Sequence, residues 1–262
     1  MKQPFDLLES NLLDLLYELR EAEEAHLLPL IPEVRSTNDL DMFLTTDVIV
    51  DLPKAKAVLE AVQRLEFAAV EKKENFQFIK TFQRDRQSLE VKIDFLTPMP
   101  DNPAALRILD IQDRRVRNKR SGGIHAFKTE EAIAVEDNPI PIVLAGVRTT
   151  GEEFSGQVYL PQAYAYLLMK LFAFHDWEIK KQNPGYSRKH ALDLYNIAAM
   201  MTEEELAAAE QASSIYQHKP EAQEAASIVQ GFFARTTDLG NLLCANIRIF
   251  LRTQTWLSSS RF

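Results

Sequence analysis

Residues 35–44 read RSTNDLDMFL, and the fold turns on how this stretch is read. Two aspartates, Asp39 and Asp41, stand one residue apart where the chain enters an apolar run that looks like a strand. In a strand, residues i and i+2 project from the same face. Asp39 and Asp41 then point together, with Cα atoms roughly 6–7 Å apart from the rise per residue, and Leu40 and Met42 turn toward the core. Residues 89–97, LEVKIDFLT, form a second strand pattern. Val91, Ile93 and Phe95 face one way, and Lys92, Asp94 and Leu96 the other. An ionised carboxylate in such a strand is costly unless it is solvated, paired or bound to a metal. If the two strands are neighbours, Asp39, Asp41 and Asp94 converge on one point of the sheet. Oxygen-rich clusters suit the hard cations Mg²⁺ or Mn²⁺. Two such ions ~3.5–4 Å apart hold a nucleoside triphosphate and activate an attacking oxygen. The plain alternative is that D-x-D is a turn cap or an edge-strand charge and that the three acids never meet.

Working outward, residues 5–22 place Phe5, Leu8, Leu12, Leu15, Leu16 and Leu19 at helical spacing. Pro53 opens a helix with Ala57, Val58, Ala61, Val62 and Leu65 on one face. The runs FAAVE and FQFIKTFQ are β-rich, and Pro98 and Pro100 end the strand that carries Asp94. Residues 113–120, DRRVRNKR, are followed by Gly122 and Gly123 and read as a loop or mobile segment. PIPIVLAGVRT and GQVYL read as short strands, with Gly151 near a turn. After Pro161 the pattern becomes helical. One helix covers QAYAYLLMKLFAFHDWEIKK. A second covers SRKHALDLYNIAAMM, with Ser187 as N-cap. A third begins at a Thr202/Glu205 capping box, and two more follow Pro220 and Asp238. There is no internal repeat. The chain therefore reads as an α+β domain, 1–160, and a helical C-terminal domain, 161–262.

Bulk properties narrow the function classes. The chain has 262 residues, 46% apolar and 26% charged, as in a soluble globular protein. Its net charge of -8 argues against a non-specific nucleic-acid coat. The single cysteine, Cys244, lies in an apolar helical run and reads as packing in a reducing cytosol. No signal peptide and no membrane span are expected. A soluble, intracellular protein is the expectation.

The order of elements and these acids resemble the nucleotidyltransferase superfamily, whose minimal fold is that of DNA polymerase β. The nearest likeness is to its AbiEii/AbiGii toxin-like branch. RSTNDLD matches that branch's R-x-T-x-D-[LI]-D motif at Arg35, Thr37, Asp39 and Asp41, and VKIDFL supplies the third acid, Asp94. LLMKLFAFHD resembles the family's lysine-bearing helix, at Lys170, and RKHALDLYNI its K-D-x-x-D-L motif, at Asp193. The likeness covers roughly residues 30–200. It implies a small mixed sheet flanked by helices, followed by the helical C-terminal region. It implies that Asp39, Asp41 and Asp94 bind Mg²⁺ or Mn²⁺, with Asp94 also near the attacking hydroxyl as a general base. Lys170 would contact the nucleotide's phosphates and Asp193 would position that lysine or the base. Arg35 and Thr37 complete the nucleotide-binding set, Arg35 by reaching a phosphate bidentately. The implied activity is transfer of NMP from an NTP to a hydroxyl of a macromolecule such as tRNA or protein. The protein would then be a toxin with an antitoxin partner. The alternative is a catalytically inactive fold member acting as a binding or regulatory partner.

Two departures accompany the likeness. Family members usually carry Gly-Gly or Gly-Ser ahead of D-x-D, where free N–H groups and a helix dipole cradle the triphosphate; here the first glycine is Gly122. A shortened chain, a pseudoenzyme and a different mode of donor binding are the three readings of that. His190 also stands where the K-D-x-x-D motif has its first aspartate.

The remaining features divide between structure and binding. Arg114, Arg115, Arg117, Lys119 and Arg120 form either a solvated charge run or a phosphate-binding patch. His125, His175, His190 and His218 lack metal-ligand spacing. Ser36 and Thr37 read as turn residues rather than nucleophiles. Tyr164, Tyr166, Phe172, Phe174 and Trp177 read mostly as core, with Tyr166 or Trp177 available to stack on a base.

Overall fold

The computed structural model of the protein describes residues 39–84, 87–112, 114–120, 122–147 and 151–241. The fold is α+β, as the sequence predicts. A mixed sheet with helices makes up the first part, and helices alone the last. The described residues separate into two compact units, one ending at Leu160 and one starting at Pro161. The helix expected over 5–22, the motif residues Arg35 and Thr37, and Cys244 lie outside the described residues. So does most of the helix expected after Asp238.

In the first unit β1 (Asp39–Phe43) leads into α1 (Thr46–Val50) and α2 (Leu52–Arg64). Asp51 caps α2, its carboxylate accepting from the Lys54 amide at 3.2 Å, with Pro53 in the first turn. That cap satisfies an N–H with no partner inside the helix. The buried stripe of α2 is set by Ala55 and Val62, with Val58 and Leu59 partly buried between them. Leu65, expected on that stripe, is exposed at the C-cap, beyond the last turn the sheet covers.

Four elements follow: β2 (Ala68–Ala69), β3 (Gln77–Arg84), β4 (Gln87–Pro98) and α3 (Pro103–Ile108). Then come β5 (Leu109–Gln112), β6 (Arg115–Asn118) and β7 (Ala126–Thr129). The sheet order is β2-β3-β4-β7-β6-β5, and β1 pairs with β4. The β1–β4 and β4–β7 pairs are parallel, and the others antiparallel. FAAVE yields only the two-residue β2. Along β4 burial alternates as the sequence predicts, with Val91, Ile93 and Phe95 buried and Lys92, Asp94 and Leu96 partly exposed. The buried face of the sheet, with Phe78, Val116 and Ala126, packs against Ile49, Ala55 and Val62 of the helices. Fully burying each large apolar side chain there contributes about 1.5–3 kcal/mol. The opposite face carries the acids.

The segment DRRVRNKR corrects the sequence reading. Four of its residues form β6, paired with β5 and β7, rather than a mobile loop. Alternation decides this: Val116 and Asn118 turn inward and the arginines outward. The buried Asn118 amide donates to the carbonyls of Ile49 (3.2 Å) and Val50 (2.7 Å), satisfying the end of α1. The two glycines that follow are also placed. A Cβ on Gly123 would fall 2.7 Å from the Ala55 Cβ, so the chain presses onto α2 where only glycine fits. Next, β8 (Ile140–Val147) and β9 (Glu153–Leu160) form a separate antiparallel hairpin, with Gly151 at φ +85° between them.

The second unit contains α4 (Ala163–His175) with a π-helical turn at Asp176–Lys180, then α5 (Pro184–Met200), α6 (Glu203–Tyr216) and α7 (Pro220–Phe232). Ser187 is not the N-cap of α5. Pro184 pre-sets the first turn, so the helix starts after Asn183, and Ser187 is buried inside it, its hydroxyl donating to Glu178 with the Pro184 carbonyl also within 3.2 Å. The Thr202/Glu205 capping box is present at α6. Phe174 packs edge-on against Phe232 and Phe233. Trp177 stacks on Tyr186 rather than standing open for a base, and Tyr166 is buried.

Candidate functional site

The parallel register of β1 and β4 sets Asp41 directly opposite Asp94 and Asp39 opposite Lys92. Adjacent strands lie about 4.8 Å apart, so Asp41 and Asp94 are neighbours on one face, with Asp39 one pleat repeat away on the same side. Asp41 and Asp94 therefore meet across the ladder, and Asp39 pairs with Lys92. On the other side of β4, Gln77 of β3 faces Asp94, and its amide donates to Asp94 Oδ1. Gln77 is almost fully buried, so it fixes the orientation of that carboxylate.

Lys92 completes the cluster. It sits two residues before Asp94, and hence on the same face. Its Nζ lies 3.2 Å from Asp94 Oδ2 and 3.4 Å from Asp39 Oδ1. Burial opposes its charge, but the Asp94 and Asp39 carboxylates outweigh that and hold its pKa above the ordinary lysine value. Sequence reading gave Lys92 and Gln77 no role. The K-x-D spacing does place Lys92 beside Asp94, but its contact with Asp39 depends on a register that no local pattern contains.

Carboxylates are the donor type that hard divalent cations take, and three share this face, with the Lys92 ammonium between Asp39 and Asp94. Among the described residues, no three carboxylate, imidazole or thiolate groups are gathered closely enough to enclose an ion. The ammonium of Lys92 stands in that bay.

The basic residues of β6 are largely occupied. Arg117 makes a two-armed contact with Asp110, at 3.0 and 2.7 Å. Arg115 lies over the Phe76 ring, 4.8 Å from its centre. Lys119 donates to the Arg107 carbonyl at 2.6 Å, at the end of α3. Burial, with Arg115 and Arg117 adding repulsion, pushes the His125 pKa down to about 4.

In the second unit Lys170 of α4 donates to Asp193 of α5 at 2.8 Å, and the Asp193 side chain is 0% exposed. His190 Nδ1 lies 3.9 Å from the same carboxylate oxygen. Lys170 Nζ sits 5.5 Å from the Tyr166 ring centre. Asp193 is thus a buried partner of Lys170 and not a solvated helix-surface acid. Helical spacing brings this about: Lys170 and Asp193 each fall on the face where α4 and α5 pack together.

No family model matches the chain. Comparisons with curated proteins and with solved structures likewise give no match. Among the described residues no helix is long and apolar enough to cross a membrane.

Proposed function

We propose that the protein is a metal-dependent nucleotidyltransferase, similar to the AbiEii/AbiGii toxin-like branch, that transfers NMP from an NTP to a hydroxyl of tRNA or protein. The observation that carries this reading is the register that sets Asp41 against Asp94, with Asp39 on the same face. A D-x-D strand beside a one-acid strand is the minimum that such chemistry requires. Mg²⁺ or Mn²⁺, when bound, supplies neutralising charge for the triphosphate and the leaving pyrophosphate.

The chain's own residues do the remainder. Asp39, Asp41 and Asp94 would hold the cation. Asp94, oriented by Gln77, accepts the proton of the acceptor hydroxyl. The hydroxyl oxygen bonds to the α-phosphorus, the α–β phosphoanhydride bond breaks, and pyrophosphate leaves with the electron pair. The resemblance would give the nucleotide's phosphates to Lys170, which Asp193 holds within its own unit, and further nucleotide contacts to Arg35 and Thr37. Positioning and electrostatics account for most of such catalysis. In a toxin–antitoxin pair, an antitoxin would restrain this activity.

A second reading, an inactive fold member that binds or regulates a partner, is favoured by the Lys92 ammonium lying between Asp39 and Asp94. One experiment separates them: incubation with α-labelled NTPs, Mg²⁺ or Mn²⁺ and a cell extract. Transfer of label that is lost in Asp39→Ala supports the enzyme. Absence of label with either metal, together with no Mg²⁺-dependent NTP binding by calorimetry, supports the inactive binder.

A further inference from the structure

We propose that the segment from Trp177 to Lys189 is a docking platform for single-stranded RNA, with Lys181, Arg188 and Lys189 taking phosphates of the strand. The platform belongs to the second unit and needs neither a metal nor a nucleotide.

The chain carries a net charge of -8, yet residues 179–192 contain no Asp or Glu and include Lys180, Lys181, Arg188 and Lys189. A charge run is usually a solvated face, so the arrangement of the side chains has to decide. Trp177 and Tyr186 stack with ring centres 4.4 Å apart and planes inclined by 16°. Lys181 Nζ lies 3.7 Å from the Trp177 ring centre, and Lys189 Nζ 4.7 Å from that of Tyr186. An ammonium so close to Trp177 cannot share the face that Tyr186 covers, so Lys181 and Tyr186 sandwich the indole. The turn beneath is pinned by backbone bonds. The Asn183 amide donates to the Trp177 carbonyl at 2.9 Å, and the Tyr186 amide to the Asn183 carbonyl at 3.1 Å. The two acids nearest in sequence are engaged elsewhere: Asp176 pairs with Lys180 at 2.6 Å, and Glu178 accepts from Ser187.

A ring face holds an ammonium without neutralising it. A carboxylate partner cancels the charge, as Asp193 does for Lys170. Lys181, Arg188 and Lys189 are exposed, and among the described residues none of them pairs with a carboxylate. Their charge reaches solvent, and the ring seats reduce the side-chain freedom that binding costs. Such a surface suits a phosphate chain. Counterion release needs only exposed cations, whereas a peptide is captured in an apolar groove or along an open strand edge. This surface is a helix turn with no strand. Gln182 and Asn183 stand exposed in the same turn, and their amides can both donate to and accept from a 2′-hydroxyl, which favours RNA. Since both faces of Trp177 are covered, the strand is held by its backbone and not by base stacking.

The test is fluorescence anisotropy of a labelled oligouridylate with the full chain, in EDTA, across about 50–200 mM salt. Wild type is expected to bind with a slope of log affinity against log salt of about -2, for three cations at roughly -0.7 each. In Lys181→Gln/Lys189→Gln that slope should shrink by about 1.4. Tyr186→Leu keeps every charge but removes the seat of Lys189, and should weaken binding about 2- to 10-fold with the slope unchanged. Lys73→Gln, an exposed lysine of the first unit, should change nothing. Melting temperatures separate lost binding from lost fold, and the two exposed lysines carry the test if Tyr186→Leu unfolds. Absence of binding at the lowest salt, or wild-type binding in the double lysine variant, overturns the platform. Equal competition by the deoxy oligonucleotide or by polyglutamate overturns its assignment to RNA. With EDTA present, either failure leaves the metal-dependent reading of the first unit untouched.

Discussion

The two units each hold a lysine against aspartate, and the two arrangements differ in kind. Lys170 meets Asp193 between packed helices, where Asp193 is 0% and Lys170 19% exposed. Lys92 bridges Asp39 and Asp94 on the open face of a sheet, with water at hand. A sealed pair cannot be half-removed cheaply, because the survivor keeps its desolvation cost without its partner. A wet pair can be broken and re-formed at little cost. The first arrangement therefore fixes a charge in place, and the second allows one to be exchanged.

The largest effect that tests this contrast is expected for Lys170→Met. It removes the Lys170 partner of the buried Asp193 carboxylate and should cost about 3–5 kcal/mol in urea unfolding, while the double variant Lys170→Met/Asp193→Leu should recover much of the loss. A loss below about 1 kcal/mol would place this pair with the exposed ones and remove the contrast.

A smaller effect is expected from His125. Its folded pKa of about 4 lies below the ordinary value near 6.5. As pH falls below that value the unfolded chain takes up a proton that folded His125 refuses, so stability declines until about pH 4 and is fully present above about 6.5. His125→Gln should flatten that part of the stability–pH curve. An unchanged slope would mean that the imidazole is not held neutral by burial and the neighbouring arginines.

Thr202→Ala should cost about 1 kcal/mol by removing the capping box of α6, well under the Lys170 effect. The smallest change is expected for Lys92→Met without metal, under about 1 kcal/mol. A loss as large as that of Lys170→Met would show that the two pairs are alike after all.

What the sequence made legible follows from the range of each interaction. The strand at Asp39–Phe43, the alternation of β4 and the Thr202/Glu205 cap are local patterns, and each is present. Asp39 and Asp41 share a face by pleat geometry alone. Asp41 against Asp94 is different: 52 residues' worth of chain closes between them, and only the ladder register brings them together. The same range hides Lys92 from a local pattern, since half of its contact is with the distant Asp39. In the arginine-rich β6 a dense charge run masks the alternation that makes it a strand. In the folded chain Asp110, Phe76 and the carbonyl of Arg107 take up those charges. Ser187 was misread because Pro184 and Asn183 begin the helix one turn earlier.

In the proposed reading, β1 and β4 would hold one divalent cation between them. Paramagnetic broadening of backbone amides by substoichiometric Mn²⁺ tests it directly. The account predicts that the amides of residues 39–41 and 92–94 broaden together, and that Asp94→Asn abolishes both sets of changes. Broadening confined to one strand, or spread over unrelated surface carboxylates, would contradict it.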